Sequence, residues 1–506
     1  MAVERVPMSA LTSDAPPPPA GRHVRLVRHT LFNLVGLGAP LFVALVSIPM
    51  LLQELGVPRF GLLTLIWAVV SYFSLFDLGL GRALTQSLAR ILAQDPPGDP
   101  VPTVGTALTL MTVIGCVAGL VMACLAPFFV DMVQGVPDRD EAIRALWAMS
   151  VAVPAVVIAS GLRGVLEARN AFAWVNIIRV PLGIYTFAAP LAVSIWFGPR
   201  LDLISMALVA GRFVALAAHY LAAAMVMPDG RVHFVFRSSV VKPLLTTGGW
   251  MTVGNLIGPV MGYADRFIIA ATVSASAVAF YATPMELATK LWILPSALTT
   301  VLFPAFAAAA ARGGRDSWRL AANGMNWVFV ALMPLTLGAA LFAHEALVLW
   351  LGAAFAAESA PVLRVMAVGI MINCMAHVPL TLLQGSGHVR APALLQAIQL
   401  VPYIALLWWA SATFGVMGAA VVWSARMAFD TGAMLYLCIK LNPTSFALGS
   451  KAPLVAVALL AVIAFTVSFG ALPVLARVLV WVASCVLVAS LLRPWRTAPP
   501  ESLDAA

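Results

Sequence analysis

Long apolar stretches alternate with short polar connectors along almost the whole chain. Runs long enough to cross a bilayer lie at 31–55, 61–81, 104–130, 143–164, 174–197, 203–227, 246–272, 277–305, 321–343, 362–384, 393–414, 416–438, 452–470 and 472–492. Each approaches or exceeds the roughly 20 residues that a membrane-crossing helix needs. A backbone facing lipid must satisfy its own hydrogen bonds, and a helix does so within one segment. The short apolar-out, polar-in strands of an outer-membrane barrel are not seen. The pattern therefore predicts an all-α polytopic membrane protein with about 14 transmembrane helices.

The connectors carry the charge. If the amino terminus is cytoplasmic, the inside segments hold nineteen Lys and Arg residues and the outside segments only five, Arg59, Arg139, Arg144, Arg200 and Arg477. Positive residues are retained on the cytoplasmic side, so this alternation supports both the span count and two cytoplasmic termini. Residues 1–27, with four consecutive prolines at 16–19 and several arginines, read as a disordered cytoplasmic tail rather than a cleavable signal peptide. A weak repeat adds organisation: Asn33-Leu34-Val35-Gly36 opens the first span and Asn255-Leu256-Ile257-Gly258 the seventh. Six spans separate the copies, so the halves would share one membrane orientation, related by an axis along the membrane normal.

Composition narrows the function classes. The chain is 62% hydrophobic and 10% charged over 506 residues, which leaves no room for a large soluble domain. The net charge of +9 is spread through the connectors rather than gathered into one patch, which argues against a nucleic-acid partner. None of the four lysines follows a glycine, so no P-loop exists, and His344-Glu345 lacks the second histidine of a zinc protease. No cofactor or metal pattern is present, and no catalytic residue is expected. Cys116, Cys124, Cys374, Cys438 and Cys485 lie in apolar runs without metal-ligand spacing and read as small buried hydrophobes.

Charges inside the spans are the main functional signal, because each costs roughly 2.5–3.5 kcal/mol near a helix centre. Arg179, Arg212, Arg266, Lys290, Arg364 and Arg426 are opposed by Asp77, Asp265, Glu286 and Asp430, an excess of two positive charges. Glu286 and Lys290, like Arg426 and Asp430, are four apart and could neutralise one another on one helix face. Arg179 and Arg364 lie nearer span ends, where a long side chain can reach the interface. Arg212 sits mid-span with no acid three or four positions away. The planar fork of arginine suits phosphate oxygens, so Arg212, Arg266, Lys290 and Arg426 are candidates for a cationic, substrate-binding cavity. Asp77, Asp265, Glu286 and Asp430 are candidates for binding a coupling H+ or Na+. His219 and His377 could relay protons, although hydrogen-bonded packing is the simpler reading.

Two stretches resemble a known family. FGLLTLIWAVVSYFSLFDLGLGRALTQSLAR (60–90) and GNLIGPVMGYADRFIIAATVSASAVAFYATPMELATKLWILPSALTTVLFPAFA (254–307) are similar to motifs of the polysaccharide transporter family. These are lipid-linked oligosaccharide flippases of the MOP (multidrug, oligosaccharidyl-lipid and polysaccharide) superfamily. The resemblance implies two six-helix bundles around a central cavity with two extra helices. On this chain the layout would be a tail at 1–27, bundles at 28–227 and 245–439 joined by a basic linker at 228–244, two helices within 440–492, and a tail at 493–506. It also implies ion-coupled alternating access in a bacterial inner membrane. The substrate would be a polyprenyl-pyrophosphate oligosaccharide, with membrane lipids and other polysaccharide-assembly proteins as partners. Asp77, Gly79, Gly81, Arg82, Asp265 and Arg266 match motif positions, to which the motif itself assigns no coupling role. A drug exporter or a lipid II flippase of the same superfamily is the nearest alternative, and a membrane glycosyltransferase or polymerase the more distant one. The positive excess disfavours an exporter of cations, and outer connectors of only about twenty residues disfavour an enzyme.

Overall fold

The computed structural model describes residues 21–72, 79–94, 98–227, 230–232, 234–311, 317–388, 390–441 and 472–491, and these are helical with no strand among them. The first half contains α1 (Gly21–Tyr72), α2 (Leu80–Leu92), α3 (Val101–Met132), α4 (Arg139–Ala168), α5 (Phe172–Phe197) and α6 (Leu201–Val226). The second contains α7 (Ser238–Thr272), α8 (Ala275–Lys290), α9 (Ile293–Ala311), α10 (Ser317–Leu341), α11 (Ala343–Leu351), α12 (Ala353–Gly385) and α13 (Arg390–Leu441). A last helix, α14, covers Val474–Leu491.

Nine stretches among the described residues are long and apolar enough to cross a membrane. Two of them, Gly38–Val70 and Arg390–Leu441, each hold two expected spans joined at a glycine. Gly56 (φ 71°) and Gly415 (φ 61°) occupy the left-handed region there, which only glycine enters without steric cost. With α7 and α14, the helices match the expected spans except the one at 452–470, which lies outside the described residues. The outward faces are apolar, with Phe42, Val113, Leu120, Phe213, Leu349 and Val401 all exposed. Lipid is the solvent such a surface requires. The chain is a multi-pass, all-α membrane protein.

Two expectations need correction. The second span is not one helix through to 81: Gly79 takes the left-handed conformation (φ 69°) and α2 starts at Leu80, while 73–78 lie outside the described residues. α2 buries Leu80, Ala83, Leu84 and Leu88 while leaving Arg82 and Arg90 exposed, so it is amphipathic rather than apolar throughout. The span expected at 277–305 is present as one apolar stretch, Ala275–Ala310, with a turn at Leu291–Trp292 between α8 and α9. Of the cysteines, Cys374 and Cys438 are buried, Cys485 is intermediate, and Cys116 and Cys124 are exposed on α3. Where lipid bathes a helix, an apolar residue gains nothing by turning inward.

Close helix packing rests on small residues, as is usual in membranes. A Cβ on Gly119 would stand 2.7 Å from the Ser150 carbonyl oxygen, one on Gly369 2.5 Å from Ser424 Oγ, and one on Gly164 2.8 Å from the Gly81 carbonyl oxygen. Short connectors make neighbouring helices antiparallel and give the bundle two ends. One end carries Gly56, residues 133–138, 198–200, 273–274 and 342–352, and Gly415. The other carries the α2–α3, α4–α5 and α6–α7 connections. At the first end the halves meet directly: the Gln134 amide donates to the Ala270 carbonyl at 3.0 Å, and the Ala275 amide donates to the Gln134 carbonyl at 2.8 Å. Gln134 Nε2 adds a bond to the Ala271 carbonyl at 2.8 Å, and the Trp350 indole donates to the Leu45 carbonyl at 2.7 Å. Gly61 lies so close to the Ala275 carbonyl that no side chain fits between them. At the same end α14 is fastened by Arg477, which donates to Glu345 at 2.6 Å and to the Leu341 carbonyl at 2.8 Å. The Trp481 indole donates to the Pro334 carbonyl at 2.8 Å.

Candidate functional site

Between the halves lies a cavity of about 900 Å³ lined by residues of α1, α5, α6, α7, α8, α9 and α11. The size is at the upper end of ordinary ligand pockets. Its charged lining, among the described residues, is Arg212, Arg266, Glu286 and Lys290. Three cations less one carboxylate leave two positive charges in the hollow.

The two halves supply these charges differently. Arg212, from the middle of α6, has no carboxylate partner among the described residues. Its Nη2 reaches the Thr186 hydroxyl only at 3.5 Å, and its Nε is buried without a hydrogen bond. Arg266 on α7 is buried and donates through Nη2 to Glu286 Oε1 at 2.8 Å. Its guanidinium lies 5.0 Å from the centre of the Tyr263 ring. Lys290, one turn along α8 from Glu286, donates to the other carboxylate oxygen at 3.1 Å. The expected pairing of Glu286 with Lys290 is present, and Arg266 joins it from twenty residues away. Glu286 thus bridges both cations of the second half.

The fourth candidate cation is placed elsewhere. Arg426 is not among the lining residues: its Nη1 donates to the Met261 carbonyl at 3.0 Å, and its guanidinium stacks 4.7 Å from the Tyr403 ring centre. It forms no ion pair with Asp430, which instead accepts from Gln399 Nε2 at 3.3 Å. A backbone carbonyl and an aromatic face satisfy Arg426 better than the neighbour expected from spacing. Arg179 is exposed near the start of α5, as a side chain reaching an interface would be. Arg364 is instead half-buried in α12, with its Nε unbonded.

Among the carboxylates, Asp265 is fully buried and is not among the cavity lining residues. It accepts from the Tyr281 hydroxyl at 2.7 Å and from the Arg266 backbone amide at 2.8 Å, and among the described residues no cation comes within ion-pair distance of it. Asp77 lies outside the described residues. Gly79 and Gly81 are structural in this fold: the first takes the left-handed turn before α2, and the second meets Gly164 of α4 without an intervening side chain. Arg82 is exposed on α2. His219 Nδ1 bonds within its own helix to the Ala215 carbonyl at 2.8 Å, a packing role, and the His377 ring lies 6.4 Å from that of Trp292.

Spacing gave no sign of the aromatic wall. Phe60, Trp67, Phe187, Trp292 and Trp350 all line the cavity. Trp67 packs edge-on against Phe60 and Phe187, with ring centres 6.2 and 5.1 Å apart. The indole N–H groups of Trp292 and Trp350 are bonded to Asn373 and to the Leu45 carbonyl, which fixes both rings. In an apolar sequence such aromatics look like any others, and only their convergence from α1, α5, the α8–α9 turn and α11 distinguishes them.

Comparison with known proteins gives a consistent outcome. The family model described as "Polysaccharide biosynthesis protein" matches residues 26–310. A Shigella flexneri protein described as "Putative O-antigen transporter" is 27% identical over 415 residues, covering 81% of this chain and 97% of that protein. Among solved structures, one described as "Lipid II flippase MurJ, inward closed conformation" superposes with a TM-score of 0.70 at 11% identity, over 92% of this chain and 99% of that one. A multidrug resistance MATE family transporter of the MOP superfamily, described as inward-facing, gives 0.67 at 14% identity, over 82% and 99%. At these identities the structural likenesses show a shared fold.

Proposed function

The chain belongs to the polysaccharide biosynthesis protein family, and from that premise we propose that it is a flippase. It moves a polyprenyl-pyrophosphate-linked oligosaccharide, a polysaccharide or O-antigen repeat unit, across the bacterial inner membrane. The observation that carries the reading is the cavity with two net positive charges among its described lining residues, including an arginine that no described carboxylate pairs with. A diphosphate is the group such a hollow favours, since arginine pairs with phosphate oxygens in a planar fork. A carrier of cationic drugs would need the opposite sign. The fixed aromatic faces beside the charges suit the apolar faces of sugar rings, and the open volume suits a bulky headgroup.

Both termini are read as cytoplasmic from the nineteen-to-five split of Lys and Arg between alternate connectors. Each of the five arginines assigned to the outer connectors lies within ion-pair distance of a carboxylate: Arg59 of Glu141 (3.2 Å), Arg139 of Asp131 (2.6 Å), Arg144 and Arg200 of the one Asp202 (3.4 and 2.8 Å), and Arg477 of Glu345 (2.6 Å). For coupling to H+ or Na+, Asp265 fits best of the candidates. A buried carboxylate with no cation in ion-pair contact among the described residues is costly unless an ion or proton joins it.

Deletion of the gene tests the assignment. Lipid-linked oligosaccharide should accumulate on the cytoplasmic face, and restoration of the chain should clear it. No such accumulation, together with new sensitivity to cationic dyes, would replace the flippase by an exporter.

A further inference from the structure

The carboxylate in the cavity is in an unexpected place for an anion site. Glu286 is the one acidic side chain among the described lining residues, and it binds both second-half cations at once: Arg266 at 2.8 Å and Lys290 at 3.1 Å. Arg266 is 6% exposed and Glu286 41%, so the carboxylate sits at the mouth of the buried guanidinium, between it and the open hollow. Across the cavity, Arg212 faces the same space with no carboxylate of its own. The described charged groups in contact with Glu286 are Arg266 from α7 and Lys290 from α8, while Arg212 from α6 and Tyr263 from α7 line the same cavity.

We propose that Glu286 is an internal stand-in for the substrate's diphosphate, holding Arg266 and Lys290 between transport cycles and yielding them when the substrate arrives. This rests on reading the cavity as the site of a lipid-linked diphosphate. The two oxygens of Glu286 occupy the two cations much as two oxygens of a diphosphate would, so an incoming headgroup first meets the uncommitted Arg212. It then displaces Glu286 from Arg266 and Lys290, whose alternative partner is never lost. On release the carboxylate returns, which lowers the cost of parting with the product. A site with three uncompensated cations would bind tightly and release slowly. Glu286 trades affinity for turnover, in keeping with the rule that uniformly tighter binding does not speed a cycle.

Binding to the purified chain in nanodiscs of zwitterionic lipid tests this, with farnesyl diphosphate and inorganic pyrophosphate as the two probes. Glu286→Gln should bind both about tenfold more tightly than the wild type, because one repelling charge has left the site. The same variant should turn over lipid-linked oligosaccharide about tenfold more slowly in vesicles. Glu286→Ser, too short to reach either cation, carries the same expectations and serves if the glutamine variant melts early. Tighter binding with slower turnover is a signature that loss of structure alone would not produce. If wild type binds, Arg212→Gln weakens binding, and both Glu286 variants bind no tighter than wild type, the stand-in role is wrong while the anion site stands. Tightening confined to farnesyl diphosphate would also overturn it, because displacement concerns the diphosphate and not the chain. If neither probe binds the wild type, the anion site falls and this role with it.

Discussion

Replacing Arg212 by glutamine separates a cation kept for a ligand from one kept for the fold. In the structure Arg212 contributes little to stability: one hydrogen bond at the 3.5 Å limit, an unbonded Nε, and no ion pair among the described residues. Its removal should leave the unfolding free energy within about 1 kcal/mol of wild type, since a net hydrogen bond is worth about that much. Arg266→Gln should behave differently. It breaks a 2.8 Å pair in which the arginine side chain is 6% exposed. Breaking a fully buried pair costs about 3–5 kcal/mol. Glu286 is 41% exposed and keeps Lys290, so solvent screening reduces the expected loss to about 1–2 kcal/mol. For the ligand the ranking reverses. Charge-assisted bonds to a diphosphate are worth about 1.5–3 kcal/mol, so Arg212→Gln should weaken binding by about 10- to 150-fold. The assays are thermal melting of both variants in detergent and translocation of lipid-linked oligosaccharide in vesicles at limiting substrate, normalised to folded protein. The reasoning is refuted if Arg212→Gln melts as early as Arg266→Gln while its normalised transport matches wild type.

Other outcomes follow from contacts at the two ends. The Arg477 side chain, by its hydrogen bond, holds the Glu345 carboxyl below its ordinary value of 4.5, so the stability it adds is complete above that value and is lost as pH falls through the lower folded one. Glu345→Gln should therefore melt below wild type at pH 7, with the gap closing on acidification; a gap that widens in acid would contradict the latch. Gly61→Ala would drive a methyl into the Ala275 carbonyl and part the halves there, raising thiol labelling of a cysteine placed at Ser274. Unchanged labelling would mean that this close approach does not hold the end shut. Gly164→Ala puts a Cβ 2.8 Å from both the Gly81 carbonyl oxygen and Thr85 Oγ1. It should lower stability by about 1–3 kcal/mol in a melting assay, and an unchanged melt would show that α2 can move away from α4 freely.

The span pattern was legible because lipid demands continuous apolarity of any segment crossing it, and the distribution of Lys and Arg gave the alternation independently. What lipid does not constrain stayed hidden. The turn at Leu291–Trp292 lies within one continuous apolar stretch, Ala275–Ala310, so hydropathy runs through it. The change of direction before α2 depends on the conformation of Gly79, and a membrane helix packs glycines for several other reasons. At the site, spacing foresaw Glu286 with Lys290 because both lie on one helix. It could not foresee Arg266 joining them, since that contact depends on how α7 and α8 fold back on each other. For Arg426 and Asp430 the same spacing rule failed because a carbonyl, a tyrosine face and a glutamine were better placed. The i,i+4 geometry permits a pair but does not outweigh tertiary partners.

The distribution of pairing is itself an argument about ligand charge. Where a cation only has to be tolerated, this chain provides an answer from its own residues: a carboxylate within 3.4 Å for each of the five arginines at one end, or a carbonyl and an aromatic face for Arg426. The neutralising groups were available to the sequence, so the lack of a carboxylate beside Arg212 among the described residues is not for want of means. An arginine in mid-helix costs roughly 2.5–3.5 kcal/mol, and one carboxylate on α1 or α5 would remove most of that. Such a carboxylate would also cancel the attraction for an anion entering between the halves. An Arg212 without a carboxylate among the described residues, opposite a Glu286 that occupies both other cations, supports the proposed reading that a mobile anion completes the site, and the sign of that charge is what separates a diphosphate carrier from an exporter of cations on the same fold.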